Sequence, residues 1–368
     1  MSSARPHVRP RTLLGCLVGL VLVALTLTPL GSADGADARL RMTDPVGSDR
    51  FVANRGYHGD FPDPAVLREG KTYYAYSTTV AGLNLPVIRS TDLVHWQAVG
   101  EGQRDAAAWS AYSRTSTGTH ATTWAPSVIR VGRTYVHAYA TPVRGVRPRK
   151  MCISVSRSLH PASGFVDRTT RPLVCPGGRG AIDPQYFTAP NGARYLLWKS
   201  EQTNGYTAQL WTTRVSNDGL RLAPPNHLLL SASEPWERGI IENPSMIGYH
   251  GRYYLFYSGG SYDDDSYATG YARCQTPAGP CRRMGTGPLL TTRGRVSGPG
   301  GAMAFYDSSY RLRLAYAAWD YGHTGYPTSS QCLRTAYGCN QRRLHVATLG
   351  PDPDPEAVPG SLVVTARG

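Results

Sequence analysis

The stretch at residues 63–77, DPAVLREGKTYYAYS, returns four more times in degenerate form at nearly constant spacing. The later copies lie at 125–140 (APSVIRVGRTYVHAYA), 183–200 (DPQYFTAPNGARYLLWKS), 243–258 (NPSMIGYHGRYYLFYS) and 298–319 (GPGGAMAFYDSSYRLRLAYAAW). Each has a proline at its start, then an apolar run, a Gly or polar turn, and an aromatic strand. With Pro64, Pro126, Pro184, Pro244 and Pro299 as markers, the intervals are 62, 58, 60 and 55 residues. That is the length of a supersecondary unit and too long for a single hairpin.

Within the first unit, LREGKTYYAYS reads as strand, Glu-Gly turn, strand, and LPVIRSTDLVHW as a further strand followed by a Ser-Thr-Asp turn. The second half recurs as CISVSRSLHPASGFV, QLWTTRVSNDGLRL and TGYARCQTPAGPCRRM. Short strands four to a unit, rich in Tyr and Val and almost without helical periodicity, describe a propeller blade. The expected fold is therefore all-β, a five-bladed β-propeller with four-stranded blades over residues 57–350. Two stacked β-sandwiches would supply as many strands but would not require five homologous openings. Residues 39–56 read as a lead-in that supplies at most an edge strand. Residues 351–368 read as a proline-rich tail whose SLVVTA run could add a last strand.

Residues 1–38 stand apart from that core. Arg5, Arg9 and Arg11 flank the start of an apolar run at 13–30, and Ala36-Asp37-Ala38 offers small residues for cleavage, the pattern of a secretory signal peptide. A retained membrane anchor is the rival, because the run is near the minimum of about 18 residues for spanning. The expectation is a secreted protein with no stable membrane association once the signal is cleaved. Cys152, Cys175, Cys274, Cys281, Cys332 and Cys339 then remain. Their order favours sequential disulfides, Cys152–Cys175, Cys274–Cys281 and Cys332–Cys339, and no CxxC pair supports metal ligation. The net charge of +14 invites a nucleic-acid reading. The arginines are scattered, however, and only residues 144–150 form a basic block, so no nucleic-acid partner is expected.

In a propeller the first strand of each blade lines the central channel. Asp63, Asp183 and Glu242, each beside a marker, would then ring one mouth of it, while Ala125 and Gly298 stand uncharged in the second and fifth units. Three crowded carboxylates repel one another, so at least one should hold a proton near neutrality. Glycoside hydrolysis needs that combination, a protonated acid for the leaving oxygen and an ionised partner across the sugar. An Asp-Pro dipeptide that merely opens a turn accounts for one such acid, but not for acids recurring in three units. A calcium site built on Asp63 and Asp183 is a second rival. Asp263-Asp264-Asp265 reads as a solvated loop, and His58, His120 and His323 as packing or hydrogen-bonding residues.

The segments GDFPDPAVL, RSTDLVHW, TWAPSV, AIDPQYF, IENPSM and SGPGGA, in this order and spacing, resemble glycoside hydrolase family 43. Its five-bladed enzymes include α-L-arabinofuranosidases, arabinanases and β-xylosidases. The resemblance covers nearly all of the mature chain and rests on six motifs in register, each weak alone. It implies that Asp63 is the general base, that Asp183 orients the acid and holds its pKa up, and that Glu242 is the general acid. It also implies inversion, with about 6.5 to 9.5 Å between the carboxyl groups of Asp63 and Glu242. Phe61 and Trp124 become candidates for stacking on the sugar, with blade packing the alternative for each, and Asn243 joins the substrate-binding set. The implied substrate is an arabinofuranosyl or xylosyl linkage of a plant-type or cell-wall polysaccharide or oligosaccharide.

The sequence also departs from the family pattern. Many members carry a histidine after GPG, associated with a channel metal, where this chain has Gly301. A Tyr-His-Ala-Trp run is here Tyr316-Ala317-Ala318-Trp319, and WAPD ends here in Ser127. No cofactor is expected, and these residues do not call for a metal such as calcium. Two further readings stay open: a non-catalytic carbohydrate-binding propeller, and a fructan-cleaving five-bladed hydrolase. The latter retains configuration and would place its carboxylates only about 5 Å apart.

Overall fold

A computed structural model describes residues 57, 59–80, 82–115, 118–201, 207–285, 287–326 and 340–351, with a further short strand at each of Leu40–Met42 and Leu362–Val364. Five small antiparallel sheets follow one another along the chain, each opening at a marker proline. Strand order within each runs from the inner strand outward. The first blade is Ala65–Glu69, Thr72–Tyr76, Pro86–Ser90 and Gln97–Glu101. The second is Trp124–Val131, Thr134–Pro142 and Met151–Ser158. Ala181–Thr188, Arg194–Ser200, Gln209–Val215 and Leu222–Ser231 make the third. The fourth comprises Ile241–Tyr249, Arg252–Gly259, Ala268–Cys274 and Cys281–Arg283. Val296–Tyr306, Leu312–Asp320 and Arg342–Thr348 form the fifth. The fold is a five-bladed β-propeller.

Two blades depart from the expected four strands. In the second, the outer edge is reduced to single bridges, Ile153 to Val174 and Arg157 to Val166. The segment that would pair there contains Pro161, Pro172 and Pro176, which have no N–H for a ladder. After the fifth blade's third strand, Gly350–Pro351 turns away to pair with Leu362–Val364, which also lies parallel to Leu40–Met42.

The apolar core is divided among the five interfaces between blades. Tyr76 and Val87 of the first meet Val128 and Tyr135 of the second; Ile153 and Val155 meet Tyr186 and Trp198 of the third. Leu197 and Leu210 then meet Met246 and Leu255, and Tyr254 and Phe256 meet Leu314 and Tyr316. The ring closes where Phe305 and Ala315 of the fifth blade pack on Val66, Tyr73 and Trp96 of the first. A blade covered on both faces buries successive residues and not alternate ones, which is why Tyr254 through Gly259 are all buried. Burial of a side chain such as Phe256 contributes roughly 1.5–3 kcal/mol.

Polar links fasten the same interfaces. Tyr186 N donates to Ser127 Oγ at 2.9 Å and Ala304 N to Ser245 Oγ at 3.0 Å. The chain is closed by Phe61 N donating to Arg342 O and Arg342 N donating to Asp60 Oδ1, both at 2.7 Å. Cys152–Cys175 and Cys274–Cys281 are disulfides, as expected. Cys332–Cys339, the signal-peptide stretch and His58 lie outside the described residues.

Candidate active site

The residue before the marker proline has positive φ in every blade: Asp63 51°, Ala125 44°, Asp183 56°, Asn243 50° and Gly298 58°. A left-handed conformation costs a non-glycine residue roughly 1–2 kcal/mol. Four of the inner ladders shift register there, between Trp124 and Ser127, Ile182 and Gln185, Glu242 and Ser245, and Ser297 and Gly300. A bulge of this kind re-aims a side chain. The recurring motif is therefore a backbone device, and in the first, third and fourth blades it turns a polar side chain into the central cavity.

That device corrects the reading of the fourth blade. Asn243, not Glu242, occupies the phase of Asp63 and Asp183. Glu242 sits one residue earlier, opposite Ser258, as Ile182 sits opposite Lys199. Even so, the three acids converge. Asp63, Trp124, Asp183, Glu242 and Asn243 line one cavity of about 580 Å³, within the usual range for small-molecule sites. Asp63, Asp183 and Asn243 also border a much smaller space of about 20 Å³ among Pro64, Pro126, Pro184 and Pro244.

Within the cavity, Thr78 Oγ1 donates to Asp63 Oδ2 at 2.7 Å, and Asn243 Nδ2 lies 3.4 Å from Asp63 Oδ1. The same Nδ2 donates to Tyr267 OH at 3.0 Å, and that hydroxyl donates to Glu242 Oε1 at 2.7 Å. Asp63 and Glu242 are thus linked through two intermediaries. Asp183 Oδ2 accepts from Asn243 N at 2.9 Å. On the far oxygen of Glu242, Lys199 Nζ donates to Oε2 at 2.8 Å while also lying 3.1 Å from Glu201 Oε1. Gly300 is fitted to this chain of bonds: a Cβ there would stand 2.1 Å from the Tyr267 ring.

Burial pushes the Asp183 carboxyl well above its ordinary range, and the nearby Glu242 charge adds to this against the pull of Lys199. Glu242 goes the other way. Burial works to raise it, but the charge and hydrogen bond of Lys199, the Tyr267 hydroxyl and Arg342 together outweigh burial and hold it below its usual value. Asp60, which lines the same cavity, is pushed up to about 6 by desolvation, against the opposing Arg342. A crowded set with one protonated member was expected. The opposed directions favour the proton on Asp183 over Glu242, whose charge Lys199 balances.

The model of the family described as "Glycosyl hydrolases family 43" matches residues 56–334. The chain belongs to this family. Among known proteins it is similar to the extracellular endo-α-(1→5)-L-arabinanase 1 of Bacillus subtilis strain 168, 23% identical over 276 residues, which cover 71% of this chain and 81% of that protein. It is also similar to the extracellular exo-α-(1→5)-L-arabinofuranosidase ArbA of Cellvibrio japonicus strain Ueda107, 24% identical over 260 residues, 66% and 70% of the two chains. A thermostable family-43 glycoside hydrolase of known structure shares the fold with a TM-score of 0.70 at 24% identity, covering 86% of this chain and 96% of that one.

As a family-43 glycoside hydrolase, the chain raises the question of a channel metal beside a blade-five histidine. At that point Gly301 has φ 62°, and a Cβ would lie 3.0 Å from Asp63 Oδ1 and 3.3 Å from Arg342 Nη2. The Arg342 guanidinium, 2% exposed, places its own positive charge 3.5 Å from Asp63 Oδ1. Among the described residues no three His, Cys, Asp or Glu side chains are grouped to hold an ion. The residues do not fit a resident metal, nor a calcium site on Asp63 and Asp183.

Phe61 requires a second correction. It is fully buried in the first–fifth blade interface and meets Tyr57 edge-on at 5.8 Å, so it has no face for a sugar. Trp124 lines the cavity with the Arg149 guanidinium 4.5 Å over its ring. His323 lies exposed, and the side chain of His120 is outside the described set. The sequence reading missed Lys199, Tyr267, Arg342 and Thr78. Of these, Lys199 had a signal, a lone lysine inside the apolar strand YLLWKS.

Proposed function

We propose that this family-43 hydrolase is an exported inverting enzyme that cleaves arabinofuranosyl or xylosyl linkages of a polysaccharide or oligosaccharide. The observation that carries the reading is the convergence of Asp63, Asp183 and Glu242 on one cavity, with Asp63 and Glu242 linked through Asn243 and Tyr267. Two similar proteins named for arabinan or arabinofuranoside cleavage support the sugar. Their extracellular names, the two disulfides and the N-terminal pattern support export.

Asp63, oriented by Thr78 and Asn243, takes a proton from the attacking water as it adds to the anomeric carbon. Glu242 delivers a proton to the departing oxygen from the opposite side. That proton must first reside on Glu242. A shift of Lys199 from Glu242 toward Glu201, its second partner, withdraws the cation that keeps Glu242 ionised; Asp183 then gives up its proton and, ionised, favours protonation of Glu242.

The assignment is tested by a panel of nitrophenyl glycosides, α-L-arabinofuranoside and β-D-xyloside foremost, with the first-formed anomer identified by NMR. Turnover with inverted product is expected. Retained configuration would instead support a covalent mechanism, and no turnover on any member would support a binding propeller.

The Lys199 arrangement makes a separate prediction. Lys199→Gln removes the cation that lowers the Glu242 pKa, so that pKa should rise. The basic limb of kcat/KM against pH, which reports loss of the acid's proton, should move to higher pH. Asp183→Asn removes the neighbour that, once ionised, favours a proton on Glu242, and should move the limb the opposite way. A Lys199→Gln profile that is unmoved or moved to lower pH counts against Lys199 as the group that sets the proton.

A further inference from the structure

Two of the cations lining the cavity are committed to carboxylates: Lys199 to Glu242 and Glu201, and Arg342 to Asp63. Two others, Arg149 and Arg179, line the same cavity, and among the described residues neither has a carboxylate partner. Hydrolysis of a neutral sugar by Asp63 and Glu242 uses neither of them. We propose that Arg149 and Arg179 bind an oxyanion carried by the carbohydrate, the carboxylate of a uronic acid residue, at the side of the cavity formed by the second and third blades. This rests on the glycosidase reading of the cavity.

The basic block at 144–150 is the one such block in the sequence reading, and the fold delivers its end to this place. Arg144 anchors the block's start, donating through Nε to Ser110 O at 3.2 Å and through Nη2 to Ala108 O at 2.7 Å, with its guanidinium 4.5 Å over Tyr112. Arg149 at the other end is held on Trp124. A guanidinium stacked by its face keeps its edge N–H groups available, and that planar fork matches a carboxylate.

The segment carrying Arg179 is fastened beside it. Met151 N donates to Arg179 O at 2.9 Å, and Met151 bridges Gly180 in parallel. The approach is so close that a Cβ on Gly180, whose φ is +96°, would stand 1.8 Å from Met151 O and 3.2 Å from Lys150 Cγ. The Cys152–Cys175 disulfide joins the same two segments. The two arginines are therefore presented by a cross-linked backbone, which reduces the ordering cost of binding. Both side chains are exposed, so the attraction is screened by salt and its effect is moderate.

The test uses the full chain carrying Glu242→Gln, which binds without turning over, and calorimetry with arabinoxylo-oligosaccharides of equal length with and without a glucuronic acid side group. The acidic oligosaccharide is expected to bind about tenfold more tightly at low salt. The preference should collapse toward unity at high salt and when Arg149→Gln and Arg179→Gln are added. Equal affinity for the two oligosaccharides overturns this inference and leaves the glycosidase reading standing. Binding of neither overturns both. Free glucuronate and inorganic phosphate serve as competitors. Displacement of the acidic oligosaccharide by glucuronate supports a uronic acid site, whereas stronger displacement by phosphate overturns that assignment in favour of a phosphorylated glycan.

Discussion

Glu242→Gln is expected to lower kcat on an arabino- or xylo-oligosaccharide by about 10² to 10⁴-fold, the usual worth of a positioned proton donor. An alkoxide leaving group needs that proton, while a nitrophenolate departs with little help, so the nitrophenyl glycoside should lose much less. The contrast between the two substrates is the diagnostic result. The substitution keeps the shape of the side chain and most of its bonds. Lys199 can still donate to an amide oxygen at the Oε2 position, and Tyr267 OH, which already accepts from Asn243, can accept from the new NH₂. Loss of fold is thus not the expected cause, and an unchanged thermal midpoint would check this. An equal loss on both substrates would show that Glu242 acts through something other than leaving-group protonation.

The five blades were legible because their openings need a particular chemistry. A left-handed residue followed by proline selects Asp, Asn or Gly, and four of the five openings obey; Ala125 alone does not. The phase of Glu242 was less legible. In Ile-Glu-Asn-Pro two polar residues adjoin: aligning the prolines already matches Asn243 with Asp63 and Asp183, as its φ of 50° bears out, but the acid beside it draws the reading. Phe61 was misplaced for a related reason. Asp60 and Pro62 line the cavity, and extended backbone sends the residue between them to the other side, into the core. The second blade's missing fourth strand followed from prolines that the repeat pattern had not weighed. Lys199 was readable in principle, since an ammonium flanked by buried apolar residues requires carboxylate partners. Arg342 was not, because it reaches Asp63 across 279 residues of sequence and no local motif marks it.

Asp63→Asn should be the most damaging single change to hydrolysis that leaves the propeller intact. Asn accepts left-handed backbone more readily than most residues, so the φ of 51° at this bulge is retained without added strain. Thr78 Oγ1 already accepts from Ala125 N at 2.8 Å, and its hydroxyl can turn to accept from the new amide as well. What disappears is the group that takes the proton of the attacking water. The loss, about 10² to 10⁴-fold, should therefore fall equally on nitrophenyl and oligosaccharide substrates, unlike that of Glu242→Gln. Azide, a nucleophile that needs no deprotonation, should restore part of the nitrophenyl rate and yield a glycosyl azide of inverted configuration. A loss below tenfold in an active preparation would place the base elsewhere. Asp60 is then the residue to replace: it lines the same cavity three positions upstream, is held by Arg342 N and Tyr326 OH, and is pushed by burial up to about 6, within reach of a base working near neutral pH.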